Sequence, residues 1–469
     1  MSRQDAVIPE EFARGVIVAG AGVSGTGMAK LFAHVGVPVV LADDNAQGRA
    51  RASEETGVPT ISTAEARERF ADVGAVVTSP GWRPETPLLV DAAFASLPVL
   101  GDVEACYRLD KAGVFGAPRD WLVVTGTNGK TTTTGMLAAM MQCLGADTGK
   151  RALACGNIGV AVADALLATP RVDVLVAELS SFQLFWSSQL VPDAGVLLNL
   201  ADDHLDWHGS FEHYAAAKAR VLRARHVVAG VDDPRVCELV ARTGRSDIHG
   251  FTLGAPAGGQ VGVVNGRIVA NRGGVLTDLA SAKGIEPPGA AGVLDALAAS
   301  AVALTQGALP RHIQAALHGY QVAGHRGAVV HTAGGVRWVD NSKATNPHAA
   351  DSALTGAGTV VWVAGGQLKG ADVEELIRDH AEQFRAVALL GADRAVIADA
   401  LCRIAPGVPV FVSDSTDPAE AMDEVVAYAA ERAQPGDTVL LAPAAASLDM
   451  YPGMSARGDA FAAAAMRHS

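Results

Sequence analysis

Short runs of β-branched and aliphatic residues alternate along this chain with longer stretches in which apolar positions recur every three to four residues. Those two periods separate strands from helices. The first unit reads GVIVAG (15–20), a glycine turn GAGVSG (20–25), a helix over 26–36 and a second strand VPVVLADD (37–44). AVVTSPGW (75–82) predicts a third strand, broken at Ser79-Pro80-Gly81, and LPVLGD (97–102) a fourth. After the Gly- and Pro-bearing KAGVFGAPRD (111–120), WLVVTG starts a new strand, and the following helix is apolar on nearly every face, as a buried helix is. VDVLVAELS (172–180) and AGVLLNLADDH (194–204) add strands; a polar, glycine-rich region over 244–292 reads as hairpins and turns, and 291–307 as a helix. A third unit begins near residue 319 with the strands VRWVDNS, TVVWVAGG, AVALLGADR and DTVLLAPAAAS, separated by helical stretches. Such alternation predicts parallel sheets with connections across their faces. The expected class is α/β in three domains: Rossmann-like over 1–116, a P-loop ATPase-like parallel-sheet domain over 117–322, and Rossmann-like again over 323–469.

Charge narrows the ligands. A net charge of −13 argues against a nucleic-acid binder, which would show a basic face. A polyanionic ligand would have to be held by local amides, a few cationic side chains and metal ions. Five scattered cysteines without a C-x-x-C pair argue against zinc and against a disulfide framework, which suits a reducing cytoplasm. The polar, acidic N-terminal stretch is unlike a secretion signal, and no apolar run reaches the ~18 residues of a membrane span. A cytoplasmic protein with no membrane span is expected.

The chemistry sits in the turns. Gly20, Gly22 and Gly25 fit G-x-G-x-x-G, with Asp43 and Asp44 ending the next strand, the pattern of a diphosphate-linked nucleotide at a helix N-terminus. The pattern leaves open whether that nucleotide is NAD or another. TGTNGKTTTT (125–134) places a glycine nest around Gly126 and Gly129, a charge at Lys130 and a hydroxyl for Mg²⁺ at Thr131, although Val124 stands where the commonest phosphate loop has glycine. Glu178 ends an apolar strand at the sheet edge where ligands gather, and is a candidate magnesium ligand. Asp202, Asp203, His204, Asp206, His208 and Lys218 form a dense cluster after the next strand; His325-Arg326 and VDNSKATNP (339–347) lie at the start of the third unit.

Taken in order, GTNGKTT, CGNIG, ELSSFQL, DDHLD, AAAK, HR and SKATN resemble the Mur ligases, ATP-dependent amide-bond formers of peptidoglycan precursor synthesis, and the shortened phosphate loop is that family's own. SSFQL together with SKATN resembles the member that adds D-glutamate to UDP-N-acetylmuramoyl-L-alanine. The resemblance implies that ATP phosphorylates the alanine carboxylate and that the D-glutamate amine displaces phosphate from the acyl phosphate. It places ATP on Gly126, Thr127, Asn128, Gly129, Lys130, Thr131, Thr132, Arg326 and Asn341. Two Mg²⁺ sites would draw on Thr131, Glu178, His204 and a Lys218 carbamylated by CO₂. The UDP-linked substrate would meet Val23, Ser24, Asp43, Asp44, Ser79, Gly81, Asn157 and Ser180, and D-glutamate would meet Lys343, Thr345, Lys369, Ser447 and Leu448. A monomer is implied.

Four departures from the family pattern stand out. Ala291-Gly292 replaces an H-N pair associated with adenine; N-D-S-K appears as Asp340-Asn341-Ser342-Lys343, so an aspartate expected on the ATP ribose is Asn341. S-P-A-C-A-S has become Ala442 through Ser447, and Met454 stands for an aromatic. Weaker ATP binding, with function retained, is the expectation. A nicotinamide oxidoreductase fused to an NTPase module would leave SKATN and Lys218 unexplained, and a catalytically dead binding protein sits poorly with intact Lys130, Glu178, His204 and Lys218. A sister ligase with another amino acid remains open.

Overall fold

Three sheets organise the described residues, 8–321 and 324–468, of the computed structural model. The expected boundary at 322/323 lies outside the described residues. The first sheet contains β1 (Val16–Ala19), β2 (Val39–Ala42), β3 (Thr60–Ile61), β4 (Ala75–Thr78) and β5 (Val99–Gly101), in the order β3-β2-β1-β4-β5 with every pairing parallel. All four residues of β1 and of β4 are buried, which is why those strands read as unbroken apolar runs. Strand order reverses between β1 and β4, and a crevice opens there at their carboxyl ends, where nucleotides bind in open α/β sheets.

The second sheet holds β6 (Asp120–Thr125), β7 (Ala152–Gly156), β8 (Val174–Glu178), β9 (Ala194–Leu197), β10 (His226–Gly230), β11 (Ile248–Phe251), β12 (Gln260–Val264), β13 (Arg267–Arg272) and β14 (Val275–Ser281). Its order is β14-β13-β12-β11-β10-β9-β6-β8-β7, so β6 lies between β8 and β9 at a second switch point. The hairpin expected after residue 244 is met by β12 and β13, antiparallel about Asn265-Gly266, both at positive φ as a two-residue type I′ turn needs. β11, by contrast, joins β10 in parallel.

The third sheet orders β15 (Ala328–Ala333), β16 (Val336–Asp340), β17 (Val360–Ala364), β18 (Phe384–Leu389), β19 (Val410–Val412) and β20 (Thr438–Leu441) as β15-β16-β20-β17-β18-β19, with β15 and β16 antiparallel and the other pairings parallel.

The chain falls into two compact units. One contains the first sheet and most of the second, through Leu200 with Trp207–Ala280 and Leu297–Leu317; the other contains Ala201–Asp206, Ser281–Ala296 and the chain from His318 onward. Within the first unit one apolar core runs from Phe12 and Val16 through Leu109 and Trp121 to Leu197 and Leu222, and a second lies on the other face of the first sheet around Ile17, Ala19, Val76 and Leu88. The helix Asp102–Lys111 bolts its two sheets together. Asp110, fully buried at its end, accepts from Arg119 N at 2.9 Å, Arg119 Nη1 at 2.6 Å and Trp121 Nε1 at 3.0 Å. Among the described residues no helix is long and apolar enough to cross a membrane.

Candidate active site

β6 ends in a turn that delivers Lys130 as the first residue of the helix Lys130–Thr148. Gly129 caps that helix at φ +79°, and a Cβ at Gly126 would sit 2.7 Å from the Leu198 Cβ, so both glycines are dictated by the backbone path. Asn199 clamps the loop from the neighbouring strand: its backbone O accepts from Thr127 N at 3.0 Å, and its Oδ1 accepts from Asn128 N at 2.8 Å. Lys130 Nζ folds back to Thr127 O at 2.6 Å, and Thr132 is buried. The Asn128 side-chain amide has its buried Nδ2 donor unmatched, and the loop leads into the N-terminus of the helix Lys130–Thr148, an end that favours an anion.

Glu178, at the end of adjacent β8, is 2% exposed. Its Oε2 accepts from Thr131 Oγ1 at 2.7 Å and its Oε1 from Asn157 Nδ2 at 3.0 Å, both neutral donors. Gly156 lets β7 approach, since a Cβ there would collide with Glu178 O. A carboxylate and a hydroxyl beside a phosphate loop fit Mg²⁺, which takes one or two protein oxygens and completes its shell with phosphate and water. Among the described residues no three His, Cys, Asp or Glu side chains gather as a protein-only metal cage.

Lys218 is also 2% exposed, on the helix Phe211–Ala219. Its Nζ donates to Gly126 O at 2.6 Å and stands 4.9 Å from the centre of the Tyr214 ring, while Tyr214 OH bonds Thr127 Oγ1 at 2.8 Å. A carbamate keeps one N–H on Nζ, so the bond to Gly126 O is compatible with that modification. His204 lies in the segment that belongs to the second unit, at φ +52°, with Nε2 3.5 Å from Asp203 Oδ2. Ser180 caps the helix Ser181–Phe185 in a capping box with Gln183.

At the first sheet, Asp43 Oδ2 accepts from Ala21 N at 2.7 Å, and Asp44 accepts from the Thr63 amide and hydroxyl, which hold its carboxyl below the usual range. Gly25 is the packing glycine: a Cβ there would collide with Gly20 O. A cavity of about 620 Å³ lies at this edge, lined by Asp43, Asp44, Thr63, Arg67, Gly81 and Trp82 among others. Val23, Ser24 and Ser79 are not part of that lining. Val23 is 84% exposed, Ser24 bonds Asp102, and Ser79 Oγ is buried and unmatched.

In the second unit, the loops after β16, β17 and β20 are stitched into one surface. Gln367 and Ala446 exchange both backbone bonds, and Ala444 N donates to Ala344 O at 3.0 Å. These loops carry Lys343, Thr345, Lys369 at φ +54°, buried Ser447 and exposed Leu448. His325 Nδ1 lies 2.6 Å from Asp340 Oδ2, Arg326 follows it, and partly buried Asn341 donates its N–H to Leu441 O at 2.9 Å. Gly292 abuts Pro287, where any side chain would collide with Pro287 O, so the missing H-N pair reflects a local backbone path that has no room for it.

Three supporting residues escaped the sequence reading. Asn199 and Tyr214 hold the phosphate loop. Arg457, 1% exposed, bonds Ser342 Oγ and O, Gly365 O and Ala445 O and so ties three loops together; burial lowers its pKa to about 10. An arginine amid small residues at 452–460 was the available signal.

Fold and site together define a phosphate-loop α/β protein flanked by Rossmann-type sheets. The Mur ligase middle domain model matches residues 124–302, and the Mur ligase, glutamate ligase domain model matches 325–445. The UDP-N-acetylmuramoylalanine--D-glutamate ligase of Corynebacterium efficiens is 56% identical over 98% of this chain and 96% of its own. Its counterpart from Corynebacterium diphtheriae is also 56% identical, over 98% of each chain. The crystal structure of a MurF ligase from Thermotoga maritima in complex with ADP superposes with a TM-score of 0.58 at 17% identity, over 92% of this chain and 96% of that one, and so shares the fold. The chain belongs to the Mur ligase family.

Proposed function

We propose that this chain is the cytoplasmic ligase that uses ATP to join D-glutamate to UDP-N-acetylmuramoyl-L-alanine. The observation that carries the reading is the cluster of Lys130, Thr131, Glu178 and Asn157 at one sheet edge, with the Thr131 hydroxyl 2.7 Å from the buried Glu178 carboxylate. The two corynebacterial relatives, at 56% identity over nearly the whole chain, support the choice of amino acid.

A carboxylate is a poor acylating group at neutral pH, so the alanine carboxylate takes the γ-phosphoryl of ATP, with ADP leaving. The D-glutamate amine then attacks the acyl carbon, an amide forms, and inorganic phosphate departs with the amine's proton lost to solvent. Catalysis of this kind is positioning and charge neutralisation. The turn at Gly126, Asn128 and Gly129, the helix N-terminus it leads into and the Lys130 ammonium would hold the phosphates, with Thr127, Thr132, Arg326 and Asn341 completing the ATP contacts. Thr131 and Glu178 would hold one Mg²⁺, and His204 with a carbamylated Lys218 a second; such ions would supply positive charge against the phosphoryl group. Val23, Ser24, Asp43, Asp44, Ser79, Gly81, Asn157 and Ser180 receive the UDP-linked substrate. Lys343, Thr345, Lys369, Ser447 and Leu448 receive D-glutamate, whose two carboxylates call for cations and hydroxyls. The domains are those set out above, at 1–116, 117–322 and 323–469, and the protein is a monomer.

The test is phosphate release from MgATP and UDP-N-acetylmuramoyl-L-alanine with D-Glu, L-Glu, L-Lys and meso-diaminopimelate offered separately. Release with D-Glu alone, and a product heavier by one residue, is expected. Release with another amino acid moves the chain to a sister ligase, and none with any overturns the reading.

A further inference from the structure

The acid of the D-N-S-K turn stands one residue earlier than in the N-D-S-K pattern, and the structure shows what it does there. Asp340 ends β16, is 1% exposed, and has both oxygens engaged by its own chain: Oδ2 lies 2.6 Å from His325 Nδ1, and Oδ1 accepts from Ser342 N at 2.9 Å. Its backbone O accepts from Gly327 N at 2.9 Å, so the carboxylate and the main chain grip His325-Arg326-Gly327 from both ends. His325 sits at φ +67°, a left-handed conformation uncommon outside glycine and costly enough to need support from its surroundings. Its own O accepts from Lys343 N at 3.2 Å. Gly458 makes the room, because a Cβ there would collide with His325 Nδ1 and lie 2.5 Å from Asp340 Oδ2. On the far side of the ring, His325 Nε2 is 3.7 Å from exposed Asp459 Oδ1.

We propose that Asp340 is a positioning residue: acting through His325, it fixes the strained turn that carries Arg326 and thereby sets the chain's affinity for the ATP phosphates. The inference rests on the reading of Arg326 as a phosphate contact. It also reassigns the displaced acid. At 340, the last residue of the strand, the carboxylate is turned onto the imidazole.

MgATP affinity is measured by calorimetry on the full chain, alongside KM for each substrate and the thermal midpoint, for wild type, Asp340→Asn, His325→Ala, the double variant, and Asp340→Asn in an Asn341→Asp background. Each single change is expected to weaken MgATP by about tenfold, the scale of losing one hydrogen bond to a charged group, with KM for the UDP-linked substrate unmoved. The double variant is expected to be no weaker than His325→Ala alone, and Asp340→Asn is expected to cost the same factor in the Asn341→Asp background. Losses that multiply in the double variant, an Asp340→Asn protein that binds MgATP as wild type does, recovery when the acid is moved to 341, or an equal rise in every KM with a fallen midpoint would each overturn the proposal. Wild type that binds no MgATP at all would instead overturn the functional reading beneath it.

Discussion

Glu178 shows how little separates a structural carboxylate from a catalytic one. Both its oxygens are occupied, but by a hydroxyl and an amide. A buried anion is costly without a cation, and on the proposed reading a Mg²⁺ ion arriving with the nucleotide would meet that cost. Glu178→Gln keeps the shape and should leave the thermal midpoint at or above the wild-type value while phosphate release falls by about a hundredfold or more, the scale of removing one preorganised electrostatic contact. A variant with unchanged turnover would place the metal elsewhere. Lys218→Ala should lose activity, and acetate should restore part of it by lending a carboxylate; full activity without acetate would remove the carbamate from the account. At this scale the sequence was most informative where chemistry and backbone coincide. Gly126, Gly129, Lys130 and Thr131 could be read from spacing, because a phosphate nest demands those residue types locally. Asn199 and Tyr214 could not, since their contacts to the loop come from strands and helices 71 and 87 residues away.

Among elements, the helix Asp102–Lys111 carries the most. Its fully buried Asp110 faces Arg119, itself 3% exposed, which also bonds Leu166 O and Val172 O. Removing one partner of such a pair strands the other, so Asp110→Ala should lower unfolding stability by roughly 3–5 kcal/mol. Urea unfolding would measure it, and a loss under about 1 kcal/mol would mean that water reaches Arg119. Strands were legible as elements because both faces are covered and their residues run continuously apolar. Their ends were not: AGVLLNLADDH stops being strand at Leu197, one residue after which the last ladder bond runs from Leu198 N to Thr125 O. The region after 244 was read as hairpins, yet β11 is a parallel addition, because period-two patterning records burial and not strand direction.

At the scale of the whole molecule, pH gathers the titrating groups into one response. Burial pushes Asp102 up to about 6, above its ordinary 3.8. A carboxyl with a raised folded pKa holds its proton better folded than unfolded, so its contribution to stability grows as pH falls through 6 towards 4 and disappears above 6. Asp102→Asn should therefore raise the thermal midpoint at pH 7.5 and leave it unchanged near pH 4; a shift of equal size at both would point to packing. Asp247, which its bond to Arg245 brings down to about 2, acts the other way, and stability from it is lost as pH drops below 4. The three sheets could be foreseen from periodicity. The assignment of Ala201–Asp206 and Ser281–Ala296 to the second unit could not, since it depends on contacts far apart in sequence. The buried bolt between the first two sheets has one more consequence. The cavity beside Asp43 and the loop at Lys130 belong to one compact unit, and a unit that keeps its span would measure whatever is laid across it. On the proposed reading, a nucleotide sugar bearing a single amino acid brings its carboxylate to the phosphate, while one already extended by a second residue overshoots. The first unit is then a ruler that counts how far the peptide has grown.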